Sequence, residues 1–321
     1  MDTLEKIGRW LAPGASPEPK SADLSIHAKP LLASLMTMAW FVEARDPYTG
    51  GHLWRVSRYA HMLAQDAGLG ATEAAKISLG GFLHDIGKIG VPDAILRKPG
   101  RLTDDEFDVI RTHPDMGRRM LAGHPLSRLV QDAIHLHHER PDGQGYPLGL
   151  AGDRVPLMAR IVGICDAFDA MTSHRPYRAG MAEDAALNII QSGRGSQFDD
   201  RLAENFLALG RKGALEHVMG HSDEGIPLQS CPMCGPTLVV QRGHQPGQHI
   251  YCRNCSGEFK LVPDQQCLHA EPTCGMGSPK DLEPELDVQL IERTVAQAVE
   301  HLSATDLVAT SEPGAIPEKP R

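Results

Sequence analysis

The chain has 321 residues, room for one core of about 200 residues with smaller attachments, since domains usually run to roughly 100 to 200 residues. A net charge of −9 argues against a general nucleic-acid surface, which needs clustered Lys and Arg, and with only 5% aromatic residues aliphatic side chains must fill the interior. No apolar run is long enough for a signal peptide or a membrane span, so a cytoplasmic setting is the default.

Leu4, Ile7, Trp10 and Leu11 fall at helical spacing and suggest a short N-terminal helix. A linker through residue 30 follows, with Pro13, Gly14, Pro17, Pro19 and Pro30 set among Ser, Ala and Lys. From 31 to 45, Leu31, Leu32, Leu35, Met36, Met38, Trp40 and Phe41 predict a buried helix whose methionines suit core or homodimer packing. Helices are expected over 52–67 and 72–86, the second terminated by Gly87. Thr103 and Glu106 form a capping box that starts a fourth helix, and Pro114 marks its end. Helices over 125–139, 156–171, 182–192 and 199–210 complete an all-α domain spanning 31–215, preceded by an N-terminal segment 1–30. Beyond residue 230 the composition changes. Thr237 to Gln241 and then Ile250 and Tyr251 predict short strands in a module over 228–263, and residues 264–321 read as a linker, a helix over 284–302 and a Pro/Glu-rich disordered tail.

The strongest local signal is Leu83-His84-Asp85-Ile86-Gly87-Lys88 at the end of an apolar helix. Adjacent His and Asp supply an imidazole nitrogen and a carboxylate that can bridge two cations, although an isolated pair of this kind is usually an ordinary helix-end feature. Here His52, His113, the His137-His138 pair and Asp166 lie at or near the ends of other predicted helices, and a helical bundle can bring such residues together in its core. Lys88 stands one helical turn beyond His84, placed to neutralise a phosphate oxygen or to assist a leaving group; a solvated helix-end lysine is the plainer alternative. Gly143, Gly145, Tyr146 and Pro147 form a loop in which glycines allow close backbone approach and the tyrosine offers a ring face and a hydroxyl. Asp46, Asp142 and Asp169 read as carboxylates that orient ligand histidines or shape turns, and Cys165 as a small packing residue.

Taken in order, these blocks resemble the HD-GYP family of HD phosphohydrolases over nearly 190 residues. They are Arg45-Asp46-Pro47-Tyr48-Thr49-Gly50-Gly51-His52, HDIGKIGVPD at 84–93, His113-Pro114 with Gly117, HHERPDGQGYPLGL at 137–150, Asp166 to Thr172, and Arg175-Pro176-Tyr177-Arg178. The resemblance implies an HD-type helical bundle with a buried dinuclear site. In it His52, His84, Asp85, His113, His137, His138 and Asp166 hold two divalent metal ions, Fe or Mn, with Asp85 bridging. Members with a third metal carry Glu four residues before the first ligand histidine; this chain has Tyr48 there, so two ions are expected. Asp85 and Lys88 take catalytic roles by the same resemblance, and Lys88, Tyr146, Arg175 and Arg178 contact substrate. The implied reaction is hydrolysis of the bacterial second messenger cyclic di-GMP to linear pGpG or to GMP, the end product being left open. A phosphohydrolase for another cyclic dinucleotide and a non-catalytic cyclic-di-GMP receptor remain the alternatives.

Six of the seven cysteines lie beyond residue 230, and Cys231, Cys234, Cys252 and Cys255 form C-x2-C-x17-C-x2-C, the spacing of a zinc ribbon with a closed, structural Zn site. Arg242, Arg253 and Lys260 are too few for a nucleic-acid surface, which leaves a protein partner, through the ribbon or the tail, as the expectation. Cys267, His269 and Cys274 read as incidental ligands in a flexible segment.

Overall fold

The computed structural model describes residues 21–302, less 47–48, 175–177, 236 and 265–266, together with Asp306. The expected helix at Leu4 to Leu11 and the residue Tyr48 lie outside the described residues.

Helix α1 (Ser21–Glu43) begins inside the segment expected to be linker and runs through Pro30. The reason is tertiary: Ala28, Leu32, Leu35, Met36 and Ala39 recur at helical spacing and are all buried, and burial of such a stripe outweighs the hydrogen bond that a proline removes. Helices α2 (His52–Asp66) and α3 (Ala71–Leu83) pack closely side by side. A 3-10 turn (Ile86–Gly90) follows, then α4 (Asp93–Leu96), α5 (Asp104–Ile110), α6 (His113–Met120) and α7 (Ser127–Leu136). Helices α8 (Leu157–Thr172), α9 (Glu183–Ser192) and α10 (Asp200–Arg211) close the bundle.

Two expectations are corrected here. The third predicted helix stops at Leu83 rather than 86, and Gly87 serves a different purpose from ending it: a Cβ there would overlap His113 O and come within 2.5 Å of Gly117 N, so the 3-10 turn lies directly against α6. Pro114 does not end α5. It sits in the first turn of α6, where a proline's missing N–H has no intrahelical partner to lose. The capping box at Thr103 and Glu106 forms as read, with Glu106 N donating to Thr103 Oγ1 and Thr103 N to Glu106 Oε2.

Three of the few aromatic residues meet beside the metal-facing helices. Tyr59 of α2, Phe168 of α8 and Phe206 of α10 meet edge to face, with centroids 5.3 Å (Tyr59–Phe168) and 5.0 Å (Phe168–Phe206) apart. This cluster fixes α8, and with it Asp166 and Asp169, against α2.

The C-terminal part is built of small antiparallel sheets: β1 (His221–Asp223) with β2 (Ile226–Pro227), β3 (Gln229–Ser230) with β4 (Thr237–Leu238), and a three-stranded sheet of β5 (His249–Tyr251), β6 (Gly257–Asp264) and β7 (Cys267–Met276). Strand β7 carries the sheet past residue 263, so Cys267, His269 and Cys274 lie in paired strand rather than in a flexible segment. Helix α11 (Val288–His301), capped by Asp287, buries Leu290, Ile291, Val295 and Ala298 and packs on α1 and α3. No helix among the described residues is long and apolar enough to cross a membrane.

Candidate metal centre

Five elements deliver seven donors to one point. His52 opens α2, His84 and Asp85 follow the end of α3, His113 opens α6, His137 and His138 follow the end of α7, and Asp166 projects from the middle of α8. The geometry divides them into overlapping groups: His52, His84 and Asp85; His84, His137 and Asp166; and His113, His137 and His138, the donor atoms within each group lying within 4.8 Å of one another. Asp85 faces both sides of the cluster. Its Oδ2 lies 3.5 Å from His52 Nε2 and 3.3 Å from His84 Nε2, while its Oδ1 lies 3.4 Å from His113 Nε2. Asp166 Oδ1 is 3.6 Å from His52 Nε2 and 3.8 Å from His84 Nε2.

Four of the imidazoles are aimed by their other nitrogen. His84 Nδ1 is 2.7 Å from Gly81 O, His113 Nδ1 2.8 Å from Ile110 O, His137 Nδ1 2.6 Å from Ala133 O, and His52 Nδ1 2.8 Å from Asp169 Oδ2. Such bonds fix the tautomer that turns a bare Nε2 to the centre. The helix ends make this possible, because the carbonyls used are unpaired ones of the last turns of α3, α5 and α7. His84 Nε2 is buried and makes no hydrogen bond, a cost that coordination to a cation removes. The donor set, imidazole nitrogens and carboxylates with no thiolate, therefore fits divalent metal.

The electrostatics of His113, His137 and His138 agree. Burial and the neighbouring histidines push His137 well below its ordinary range, and burial above all takes His113 down to about 4 and His138 to about 3, which keeps them neutral and able to ligate. Burial opposes protonation of His52 too, but its hydrogen bonds to Asp169 and Asp85 and the charge of Asp166 raise it to about 9. Burial also works against the Asp85 carboxylate, yet Lys88 and His84 hold it well below the usual range. Lys88 sits in the 3-10 turn rather than on a continuing helix, with Nζ 2.5 Å from Asp85 Oδ2.

The Tyr146 loop folds back on the centre. The Tyr146 ring stacks on His138 at 4.6 Å and 27°, and the Arg111 guanidinium lies over the same ring, 5.3 Å from its centroid. Gly145 is required there: a Cβ would come within 2.5 Å of His138 O, Glu139 Cα and Arg140 N. A cleft of about 410 Å³ opens over the centre, lined by Lys88, His113, His138, Arg111, Tyr146 and Asp166 among others. Arg178 points elsewhere, donating to Ala170 O at 2.6 Å, and Arg175 lies outside the described residues.

Sequence reasoning missed several residues that build this site. Arg55, buried in α2, clamps Asp169 through Nε at 2.5 Å and Nη2 at 3.0 Å. Buried Glu139 receives the backbone N–H groups of Leu148, Gly149 and Leu150 and so ties down the loop. Arg45 donates to Asp93 and to the carbonyls of Lys88, Ile89 and Val91, holding the turn that follows Asp85. An Arg in a helix that otherwise buries one face, and a Glu directly after two ligand histidines, were the available signals.

The four cysteines of the β region also converge. Their sulfurs lie 3.4 Å (Cys234–Cys252), 3.6 Å (Cys234–Cys231) and 3.7 Å (Cys231–Cys255) apart, close to the roughly 3.8 Å edge of a thiolate tetrahedron with metal–sulfur bonds of about 2.3 Å.

The profile of the HD domain family matches residues 37–202. The chain is 42% identical over 190 residues to the cyclic di-GMP phosphodiesterase response regulator RpfG of Xanthomonas campestris, covering 58% of this chain and 50% of that one. It is 40% identical over 188 residues to a cyclic di-GMP phosphodiesterase of Pseudomonas aeruginosa (58% and 44%), and 36% identical over 173 residues to 3'3'-cGAMP-specific phosphodiesterase 3 of Vibrio cholerae (54% and 38%). It thus spans half or less of the length of these relatives. The match covers every donor of the cluster, from His52 to Asp166, and the chain belongs to the HD domain family.

Proposed function

We propose that the chain is a metal-dependent phosphodiesterase of the HD-GYP type whose substrate is cyclic di-GMP, and that His52, His84, Asp85, His113, His137, His138 and Asp166 hold two divalent ions, Fe or Mn. The observation that carries this reading is Asp85, whose two oxygens face different histidines of one cluster. Two such ions supply Lewis acidity to a phosphodiester and make water acidic enough to attack it near neutral pH. The protein's part is to hold and orient. The carbonyls of the helix ends and Asp169 keep each Nε2 directed inward. Lys88 brings a cation beside Asp85 at the edge of the cleft, placed to neutralise phosphate charge and to meet the leaving ribose oxygen. Tyr146 supplies a ring face, and burial together with the charges of Asp166 and Asp85 keeps its hydroxyl protonated and able to donate. Arg175 and Arg178 remain candidates for phosphate or guanine contact; for Arg178 that requires leaving Ala170 O. The Cys231, Cys234, Cys252 and Cys255 set is a structural Zn site in a ribbon-like module.

A second substrate reading, 3'3'-cGAMP, is favoured by the relative specific for it. Purified, metal-loaded protein offered both cyclic dinucleotides separates the two, with products resolved by chromatography. Hydrolysis of cyclic di-GMP to pGpG or GMP is expected, and Asp85→Ala should abolish it. Cleavage of 3'3'-cGAMP with cyclic di-GMP left intact would replace the substrate, and full activity in Asp85→Ala would remove the metal assignment.

A further inference from the structure

The β-rich C-terminal module lies against the segment that leads into the first metal donor, and it touches that segment at a few defined points. Arg253, between the two cysteines of the second knuckle, donates from Nη1 to Ala44 O at 2.9 Å. Val239 abuts Gly50, where a Cβ would overlap its Cγ2. Arg55 Nη1 joins the two parts by donating to both Gly50 O and His221 O at 2.9 Å. Beside these contacts a cleft of about 460 Å³ separates the walls, with Trp40, Glu43 and Asp46 on one side and Tyr251 and Arg253 on the other. Further contacts join the two parts: a Cβ at Gly51 would meet Ser222 Cα at 2.6 Å, and one at Gly50 would also meet Thr237 Cγ2 at 3.3 Å.

Ala44 is a telling place to be held, because both of its neighbours reach the metal centre. Glu43 Oε1 accepts from Leu53 N at 3.1 Å, at the start of the helix that His52 opens. Arg45 binds the carbonyls of Lys88, Ile89 and Val91, the turn just after His84 and Asp85. A displacement of Ala44 thus moves His52 and the HD turn together. Arg253 itself is half-buried on the wall of the cleft, with Nη1 of its guanidinium donating to this carbonyl; Arg242 is paired with Asp223.

We infer that Arg253 is a positioning residue for the dinuclear centre, acting through Ala44, and that the partner of the four-cysteine module is the His52 loop of its own chain. This rests on the proposed centre at His52 but not on the identity of the substrate. Its test therefore reads metal retention apart from turnover. Metal-free protein is titrated with Mn(II) against a competing chelator, and zinc per chain is measured in parallel. Arg253→Ala should weaken Mn(II) binding by more than about twofold, short of the roughly 10- to 100-fold lost when a group bonded directly to a ligand is removed, with zinc retained and kcat lowered more than KM is raised. Arg253→Lys should restore part of the affinity, since an ammonium can still donate to Ala44 O. Mn(II) affinity within about twofold of wild type in a zinc-retaining Arg253→Ala would overturn the inference. Should that variant lose zinc or fold, Gly50→Ala decides: it should weaken Mn(II) binding by pressing on Val239, and adding Val239→Ala should relieve it. Unaltered Mn(II) affinity in Gly50→Ala, or no recovery in the double variant, overturns the inference. Tight Mn(II) binding in wild-type protein that leaves cyclic di-GMP intact would count against the proposed substrate alone.

Discussion

Asp169→Asn replaces one oxygen by an amide, keeps the shape of the side chain, and tests two roles at once. In the folded protein Asp169 and Arg55 are only 1% and 2% exposed, and the carboxylate takes bonds from Arg55 Nε, Arg55 Nη2 and His52 Nδ1. Neutralising it strands a buried guanidinium, a change that costs roughly 3–5 kcal/mol in comparable pairs. With a urea m-value of about 2–3 kcal/mol/M, the midpoint of the metal-free protein should fall by roughly 1–2.5 M. The variant also loses the carboxylate that orients His52, so Mn(II) affinity should fall about 10- to 100-fold. The two effects can be separated by adding Arg55→Met. Without the stranded charge the stability deficit should shrink, whereas the metal deficit should persist because His52 still lacks its carboxylate. A single Asp169→Asn variant as stable as wild type and equally tight for Mn(II) would refute this account of the buried pair.

The same carboxylate gives a pH signature. Burial disfavours its charge, but Arg55 and His52 hold its folded pKa below the unfolded value of about 3.9, so it contributes stability above about pH 4 that is lost as pH falls through the folded value. Denaturation of metal-free protein followed from pH 6 to pH 2 should show this slope, and Asp169→Asn should flatten it. Glu139→Ala leaves the N–H groups of Leu148, Gly149 and Leu150 without their acceptor, which should cost on the order of 2–3 kcal/mol and loosen the Tyr146 loop, read as a higher KM and faster proteolytic cutting within 140–150. Tyr146→Ala removes the ring stacked on His138 and should raise KM more than Tyr146→Phe does, checked by steady-state kinetics. A hard chelator should strip the His/Asp centre first, while release of zinc from the four thiolates should require a thiol-directed reagent, followed by metal analysis after each treatment.

Much of the centre was legible because its donors sit in local blocks: a His-Asp pair, a His-His pair, and a glycine-rich loop directly downstream. Helix periodicity located α2, α3 and α7 to α10 to within a few residues. What sequence could not supply were roles defined by distant partners. Arg55 and Asp169 stand 114 positions apart, Arg45 and Asp93 48, and Arg253 and Ala44 209. Neither periodicity nor spacing signals such pairs. The start of α1 was hidden by Pro30, whose local cost is overridden by burial against α11, and α6 by Pro114, which reads equally as a stop or as a first turn. Strand β7 was masked by Pro272 and the charged Glu271, both tolerated because the strand lies on an edge of the sheet.

The HD pair has one more consequence, in time rather than in space. His52 needs Asp169, 117 residues later, before its ring is fixed, and α8 must dock on α2 before Asp166 can join the cluster. The donors are therefore gathered by contacts of long sequence separation, whose loop-closure entropy slows folding. During synthesis the emerging chain carries His52, His84 and Asp85 well ahead of the residues that complete their site. On the proposed metal assignment, ions captured at the end would act as a staple across most of the bundle, and their loss should speed unfolding of the whole domain.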